Sequence, residues 1–150
     1  MPLAEVVFEV PVGGALGRFS AAHPDTRALL RVLASEAGRA RLLLVLAGST
    51  EVTGPLVREL RAELAGGEFE VLSITPYSVV VRAVAPPGAA PWAEPATRFA
   101  EVFGRDTLLE PVVVHQGKAR IKGVAARQMD TREAHQLLLL GVEERLPAAA

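Results

Sequence analysis

Residues 108–124 read LLEPVVVHQGKARIKGV, and this stretch decides the architecture that the sequence predicts. A β-branched run ends at His115, the pair Gln116-Gly117 follows, and a second alternating run begins at Lys118. A two-residue loop that ends in glycine is typical of a β-hairpin, because glycine readily adopts the positive φ that such a turn needs. The stretch therefore predicts two antiparallel strands joined by a tight turn.

The predicted hairpin has two chemically different faces, because successive side chains of a strand point to opposite sides of a sheet. Its register sets His115 opposite Lys118 and Val113 opposite Arg120. One face carries four aliphatic side chains, Val112, Val114, Ala119 and Ile121. The other carries three cations, Lys118, Arg120 and Lys122, which we call the basic strip. The aliphatic face is expected to join the core and the basic strip to face away from it.

The composition is that of a folded domain. The chain has 150 residues, of which 50% are hydrophobic and 22% are charged, so it can bury a core without disulfides or metals. It contains no cysteine, which excludes disulfides, thiolate catalysis and cysteine-ligated metal centres, and which fits a cytoplasmic location. The net charge of −1 argues against bulk electrostatic attraction to nucleic acid or to acidic membranes.

Neither a secretory signal nor a membrane span is predicted. The N-terminal stretch MPLAEVVFEV lacks a basic start and carries Glu5 and Glu9. The longest apolar run, Leu42–Ala47, is far shorter than the roughly 20 residues that cross a bilayer. We therefore expect a cytoplasmic protein without membrane contact.

The N-terminal part predicts a strand, a flexible connector and a helix. Leu3–Val10 has the alternation of a strand, and the glycines at 13, 14 and 17 suggest the connector. Asp25 after Pro24 is a typical helix start, and Gly38 is a typical helix end. Three apolar side chains of this predicted helix would face inward, Leu29, Leu30 and Leu33.

From residue 39 the pattern predicts the order β-α-β-β-α-β. The predicted elements are a strand at Arg39–Ala47, a helix from Thr53 to Gly66, strands at Glu68–Ile74 and Tyr77–Ala85, a helix through Trp92, Ala96, Phe99 and Phe103, and the first strand of the hairpin. This order matches the split βαβ, or ferredoxin-like, arrangement. The sequence thus predicts an α+β domain with a ferredoxin-like βαββαβ core in a mainly antiparallel sheet.

Further elements extend this core at both ends, a βα unit before it and a βαβ unit after it. A capping-box pattern at Asp130 and Glu133 predicts a last helix, and a short strand at Val142–Leu146 follows. The segment 86–91 holds three prolines and a glycine, which would suit a boundary between two sub-units. Because apolar residues resume directly after it, we predict one compact domain over residues 1–150, with two sub-units joined near 86–91 as the alternative.

The chain lacks the familiar patterns of catalytic and metal-binding sites. The segment 12–19, VGGALGRF, has neither the spacing of a dinucleotide fingerprint nor the Lys-Ser/Thr of a phosphate loop. The three histidines, His23, His115 and His135, have no metal-ligand spacing, and no G-x-S-x-G nucleophile elbow occurs. The sequence therefore predicts no catalytic residue, no metal and no cofactor.

The basic strip is the remaining candidate for a ligand-binding site. Lys118, Arg120 and Lys122 stand on one face, with His115 beside them at the turn. Three phosphate contacts are too few for a nucleic-acid-binding domain, since the expected salt slope is only about −3. An anionic small molecule, or glutamates across a subunit interface, would suit the strip better. An ordinary solvated face is nevertheless the favoured interpretation of these three cations.

Several segments carry a resemblance to a known family. Phe19 and His23-Pro24-Asp25 follow the first strand, residues 66–71 (GGEFEV) lead into a paired strand, and residues 109–113 (LEPVV) precede Gly117 in the turn. Residues 120–122 (RIK) and a closing leucine-rich helix come next. With these segments the chain resembles the sensory region that precedes the helix-turn-helix in bacterioopsin-activator-type transcription regulators.

The resemblance implies a regulatory or ligand-sensing domain. In that family a helix-turn-helix follows this region, and none is expected before Ala150, so the effector unit would be lost or supplied by a partner. The resemblance assigns no role to any residue.

The sequence thus favours a non-enzymatic regulatory or small-ligand-sensing domain that is linked to transcription regulation. Exposed sheet edges and an open sheet face are commonly covered by a second copy, so we expect a homo-oligomer without direct contact to nucleic acid. A small dimeric ferredoxin-like enzyme of unknown reaction is the alternative, and it requires a cavity with a perturbed titratable group such as His115 or His135. The ligand-sensing hypothesis requires that the outward side chains of the hairpin line a concave pocket or a dimer interface. These side chains are Val113, His115, Arg120 and Lys122.

Overall fold

The part of the chain that the computed structural model describes, residues 3–36, 39–103, 108–109, 111–126 and 144–145, forms eight strands and three helices. The strands are β1 (Leu3–Pro11), β2 (Arg27–Glu36), β3 (Arg39–Ala47), β4 (Glu68–Ile74), β5 (Ser78–Ala85), β6 (Val112–His115), β7 (Lys118–Ala126) and β8 (Glu144–Arg145). The helices are α1 (Gly14–Ala22), α2 (Thr50–Glu63) and α3 (Glu94–Phe103).

All of these strands join one sheet, and each described pairing is antiparallel. Their spatial order is β4-β5-β3-β2-β6-β7-β1-β8. The elements β3, α2, β4 and β5 keep the split arrangement, because β5 lies between β3 and β4. A ferredoxin-like order would also pair β6 with β3, but β2 lies between them. The predicted α+β class with an antiparallel sheet is therefore confirmed, and the predicted ferredoxin-like strand order is not.

β2 causes this difference, because the sequence predicts a helix where the structure has a strand. Ala28, Leu30 and Val32 are buried, and the positions between them are less buried or exposed, so the burial period is two. The leucines at 29, 30 and 33 fit a helical stripe almost as well as a strand. Hydrogen-bonded neighbours on both sides, β3 and β6, select the strand, since tertiary pairing overrides weak local propensity. The helix predicted after Asp25 is thus wrong.

α1 is the second departure from the sequence prediction. Its glycines predict a flexible connector, but residues 14–22 form a helix, so that prediction is wrong. Gly17 permits a close approach, because a Cβ atom at this position would lie 2.1 Å from the carbonyl oxygen of Val12. The first turn of α1 is held by Glu63 of α2, whose Oε2 accepts a hydrogen bond from the Ala15 N–H at 2.9 Å. Contacts from distant parts of the chain therefore stabilise α1.

The three helices pack on one side of the sheet, which we call the inner face. The strands fill this layer with fully buried side chains, including Phe8, Leu30, Leu44, Val81 and Ile121. The ring of Phe8 lies 6.3 Å from that of Phe99 in α3, measured between centroids. None of the described helices covers the opposite side, which we call the outer face.

Most other described elements agree with the sequence. Strand β3, helix α3 and the hairpins β4–β5 and β6–β7 lie where they are predicted. Helix α2 begins earlier than the predicted cap at Thr53, with Ser49 as the N-cap residue. β8 falls within the predicted strand Val142–Leu146 and pairs with β1. The predicted last helix at 130–141 and His135 lie outside the described residues.

β4 is one edge of the sheet, and its pairing is irregular. The register with β5 shifts between Val71 and Ser73. Leu72 and Ile74 nearby are 46% and 67% exposed, which is unusual for large apolar side chains. The strand is tied to the helical layer at its start, where the Arg61 guanidinium lies 4.9 Å from the centroid of the Phe69 ring.

Candidate ligand-binding face

The hairpin of β6 and β7 has the predicted register and the predicted faces. His115 lies opposite Lys118, and Val113 lies opposite Arg120. The aliphatic side is in the core, with no more than 1% exposure for Val112, Val114, Ala119 and Ile121. The basic strip is on the outer face, where Lys118 and Arg120 are exposed and Lys122 is half-buried. The hairpin thus presents its cations on the side of the sheet that the described helices leave open.

The turn of this hairpin is anchored to α1. Gln116 and Gly117 have φ values of 52° and 78°, as a two-residue type I′ turn requires. The Gly117 N–H donates a hydrogen bond to Ser20 Oγ at 3.0 Å. His115 Nε2 lies 2.7 Å from the Pro24 carbonyl oxygen, which can only accept, so this nitrogen carries the proton. His115 therefore ties the hairpin to the turn that precedes β2.

Two glutamates of β1 lie beside the basic strip. Glu9 is the direct cross-strand neighbour of Arg120, and Glu5 Oε1 lies 3.7 Å from Lys122 Nζ. Exposed pairs of this kind contribute only about 0–1 kcal/mol, but they offset the local positive charge. The strip is therefore part of a mixed-charge surface.

An apolar row crosses the centre of the outer face. Val80 lies opposite Val45, Val45 lies opposite Leu29, and Leu29 lies opposite Val113. We call these four side chains the apolar row, and all of them are half-buried. The row ends at the basic strip, because Val113 in turn lies opposite Arg120.

Three arginines surround Leu43 beside this row. Leu43 lies opposite Arg31 of β2 on one side and opposite Arg82 of β5 on the other. Arg41 is the nearest residue of β3 on the same face toward the start of the strand. Directly opposite side chains of a sheet stand about 5 Å apart, and same-face neighbours along a strand stand about 7 Å apart. Arg31, Arg41 and Arg82, here called the arginine ring, are therefore neighbours on one part of the outer face.

The positive charge of the arginine ring is only partly compensated. Arg82 forms an ion pair with Glu70 of β4. Arg31 and Arg41 form no ion pair and no side-chain hydrogen bond with any residue that the structure describes. Each guanidinium has five N–H donors, so the ring offers a large hydrogen-bonding capacity toward an acceptor from outside.

Two adjoining hollows of the outer face border part of the arginine ring: Arg41 lines both, Arg82 lines one, and Arg31 lines neither. One has a volume of about 310 Å³, and Arg41, Arg82, Glu68 and Glu70 are among its lining residues. The other has a volume of about 740 Å³ and shares Arg41 and Glu68 with the first. Small-molecule sites have volumes of about 300–1,000 Å³. Neither hollow is lined by His115 or by the basic strip.

Sequence reasoning misses the arginine ring for a physical reason. Its members come from three strands, and Arg31 falls in the segment that the sequence predicts as a helix. Only Arg41 and Leu43 share a strand, where alternation places them on one face. The usable signal is the alternation RARL at residues 39–42, which marks one face of β3 as basic at its start.

One void lies inside the described part of the molecule and is small. A void between α1, α2 and the sheet, next to Leu16, Leu46 and Leu56, has a volume of about 10 Å³ and can hold at most one water. A void of this size cannot hold the substrate that the enzyme alternative requires. Among the described residues, no group of three or more histidine, aspartate or glutamate side chains could hold a metal ion. No helix in the described ranges is long and apolar enough to cross a membrane.

The outer face thus combines the apolar row, the arginine ring and two hollows, with the basic strip beyond the end of the row. The resemblance to the sensory region of bacterioopsin-activator-type regulators stays a prediction. Searches with the chain found no matching family model, no matching curated protein and no matching solved structure.

Proposed function

We propose that this chain is a non-enzymatic ligand-sensing domain that binds a small anionic molecule at the arginine ring. One observation carries the proposal. Arg31 and Arg41, which form no ion pair with any described residue, stand with Arg82 around Leu43, and Arg41 lines both hollows of the outer face. Guanidinium groups bind carboxylates and phosphates through paired, charge-assisted hydrogen bonds.

Repulsion within the ring is too small to demand a ligand. Two charges about 7 Å apart in water repel by only about 0.6 kcal/mol. The support comes from the apolar surroundings, because Leu43 and its neighbour Val45 are half-buried and flank the guanidinium groups. Hydrogen bonds to charged groups strengthen where water is excluded. A ligand with a carboxylate or phosphate and a short apolar part would contact both the ring and the apolar row.

His115 and the basic strip have a smaller part in this proposal than the sequence predicts. The strip lies two strands away from Arg31, a distance of about 10 Å. His115 is engaged by the Pro24 carbonyl oxygen. Lys118, Arg120 and Lys122 would therefore contact only a ligand that extends along the apolar row. A ligand-binding role of His115 and the basic strip remains a proposal.

The biological setting is part of the same proposal. A link to transcription regulation is supported by the family resemblance, and a cytoplasmic location by the absence of cysteine. A direct contact with nucleic acid is not proposed, because the net charge is −1 and β1 offsets the charge of the basic strip. Self-association is proposed as well, and the outer face is the surface that favours it.

Thermal unfolding in the presence of defined anions tests the binding proposal. The probes are inorganic phosphate, pyrophosphate and citrate, each compared with sodium chloride at matched ionic strength so that screening is equal. A probe at about 100 times its Kd stabilises by roughly 2.7 kcal/mol. For a domain of this size that free energy corresponds to a rise in Tm of roughly 5–10 °C.

Variants of the ring separate binding at this site from a general effect of anions. Arg31→Gln and Arg41→Gln should abolish the rise in Tm. Arg58→Gln, on the exposed side of α2, is the matched control and should keep it. The proposal is refuted when none of the probes raises the Tm of the wild type, or when the ring variants respond as the control does.

A further inference from the structure

The apolar row is nearly symmetric about the centre of the outer face. Val80 and Val113 stand at its ends, and Val45 and Leu29 stand in its middle, so a line between β3 and β2 divides it into equal halves. A two-fold axis along this line, parallel to the strands, would place a second copy face to face with the first. β3 would lie over β2 of the second copy, β5 over β6, and β4 over β7. A two-fold contact requires a self-complementary surface of this kind.

Charge favours this axis over the other axis that lies in the plane of the interface. With the axis along the strands, Glu70 of β4 lies over Lys122 of β7, because the pairings put both residues at the level of Arg31. With the axis across the strands, each strand would lie over its own copy, and the basic strip would meet itself. Opposite charges orient a contact, whereas like charges placed together weaken it.

The outer face is large enough for a stable pair. The six strands from β4 to β7 span roughly 29 Å at about 4.8 Å per strand, and a strand as long as β4 spans roughly 23 Å. The flat area is therefore roughly 670 Å² per copy, near the about 800 Å² per partner of standard-size interfaces. Sheets commonly pack face to face with their strands nearly aligned.

We propose that two copies of this chain pair through their outer faces about a two-fold axis parallel to the strands, and that the anion lies between their two arginine rings. The second part rests on the proposed function. In this arrangement Arg31 of each copy stands over Leu43 of the other, so the two rings meet near the axis. Two clusters of guanidinium groups repel in a partly dry interface. An anion that bridges them should therefore promote pairing.

Charge reversal on β4 and β7 tests the arrangement by sedimentation velocity of the full chain. We expect a monomer–dimer equilibrium for the wild type, shifted toward the dimer by citrate. Glu70→Lys and Lys122→Glu should each raise the dissociation constant of the dimer by about tenfold or more. Glu59→Lys, on the exposed side of α2, is the matched control and should pair as the wild type does.

Mixing the two charge-reversed variants gives the decisive measurement. Each variant alone brings like charges together at both β4–β7 contacts, but a mixed pair brings opposite charges together at both. The mixture should therefore recover pairing, and that recovery also shows that both variants are folded. A mixture that pairs no better than the separate variants overturns the arrangement.

Further outcomes distinguish this inference from the proposed function. A wild type that stays monomeric with and without citrate overturns the pairing, even when citrate raises its Tm. If citrate raises the Tm of the wild type but leaves the monomer–dimer equilibrium unchanged, the position of the anion between the rings is overturned. Loss of the citrate effect on pairing in Arg31→Gln, with pairing itself retained, supports that position. Val45→Asp, at the centre of the apolar row, should abolish pairing in every condition.

Discussion

Replacing Glu63 with alanine should destabilise the fold by about 3–5 kcal/mol, because two buried donors from distant parts of the chain would lose one shared acceptor. Trp92 Nε1 donates to Glu63 Oε1 at 2.6 Å, and the Ala15 N–H donates to Glu63 Oε2 at 2.9 Å. Trp92 is 0% exposed and Ala15 is 1% exposed, whereas Glu63 is half-buried, so both donors depend on a carboxylate at the border of the core. The carboxylate also lies at the N-terminus of α1, where the helix dipole favours negative charge.

Two milder substitutions separate the contributions of the two hydrogen bonds of Glu63. Glu63→Gln keeps an oxygen for Trp92, but its amide nitrogen cannot accept from Ala15, so we expect a loss of about 1.5–3 kcal/mol. Trp92→Phe removes one donor and keeps most of the ring, and its loss should be of similar size, about 1.5–3 kcal/mol. Because Glu63 and Trp92 interact directly, the double variant Glu63→Ala with Trp92→Phe should show a coupling energy of about 1–3 kcal/mol.

Urea unfolding followed by far-ultraviolet circular dichroism measures these losses, with unchanged m values as a check that the unfolded state is the same. The control is Glu59→Ala on the same helix. Its carboxylate lies 3.9 Å from Arg18 and both side chains are exposed, so its removal should cost less than about 1 kcal/mol. A loss in Glu63→Ala as small as in this control, or strictly additive effects in the double variant, would refute the reasoning.

Three further tests of the fold, with five substitutions in all, use the same unfolding measurement. Gly17→Ala would place its Cβ 2.1 Å from a carbonyl oxygen and should destabilise by about 1–3 kcal/mol, whereas Gly54→Ala adds a Cβ in open space within α2 and should stabilise by about 0.5–1 kcal/mol. Leu30→Ala, in the core, should lower the free energy of unfolding by about 2–5 kcal/mol, and Leu29→Ala, on the outer face, by much less. Equal losses in the two variants would contradict β2 as a strand. Gly117→Ala, at a φ of 78°, should cost about 1–2 kcal/mol and speed hydrogen exchange of the hairpin amides; unchanged exchange would contradict the turn.

Local sequence signals were sufficient where an element is specified by its own residues. The pair Gln116-Gly117 predicts its hairpin correctly, because the positive φ values of the turn are a local requirement. The helical period through Trp92, Ala96 and Phe99 likewise predicts α3, which begins two residues after Trp92. Both features involve neighbours within a few residues, which a single sequence displays directly.

Elements that depend on distant neighbours could not be predicted in this way. The segment of β2 becomes a strand because β3 and β6 supply its hydrogen bonds, and the order of these strands is not visible in the segment itself. The arginine ring also depends on distant neighbours, because Arg31 and Arg82 lie beside Leu43 only when β2 and β5 pair with the two sides of β3. The basic strip was visible to sequence reasoning because all of it lies on one strand.

The interrupted pairing of β4 limits how far copies of this chain can add to one another. A straight, unpaired border strand is a template on which further chains can build a fibre. The shift between Val71 and Ser73 bends this border and breaks the regular spacing of its free amide and carbonyl groups. Pairing through outer faces would stop at two copies, because a two-fold contact occupies the outer face of both copies at once. Deleting Leu72, which would straighten the border, should therefore let copies add along their edges, seen in sedimentation velocity as species larger than the proposed pair.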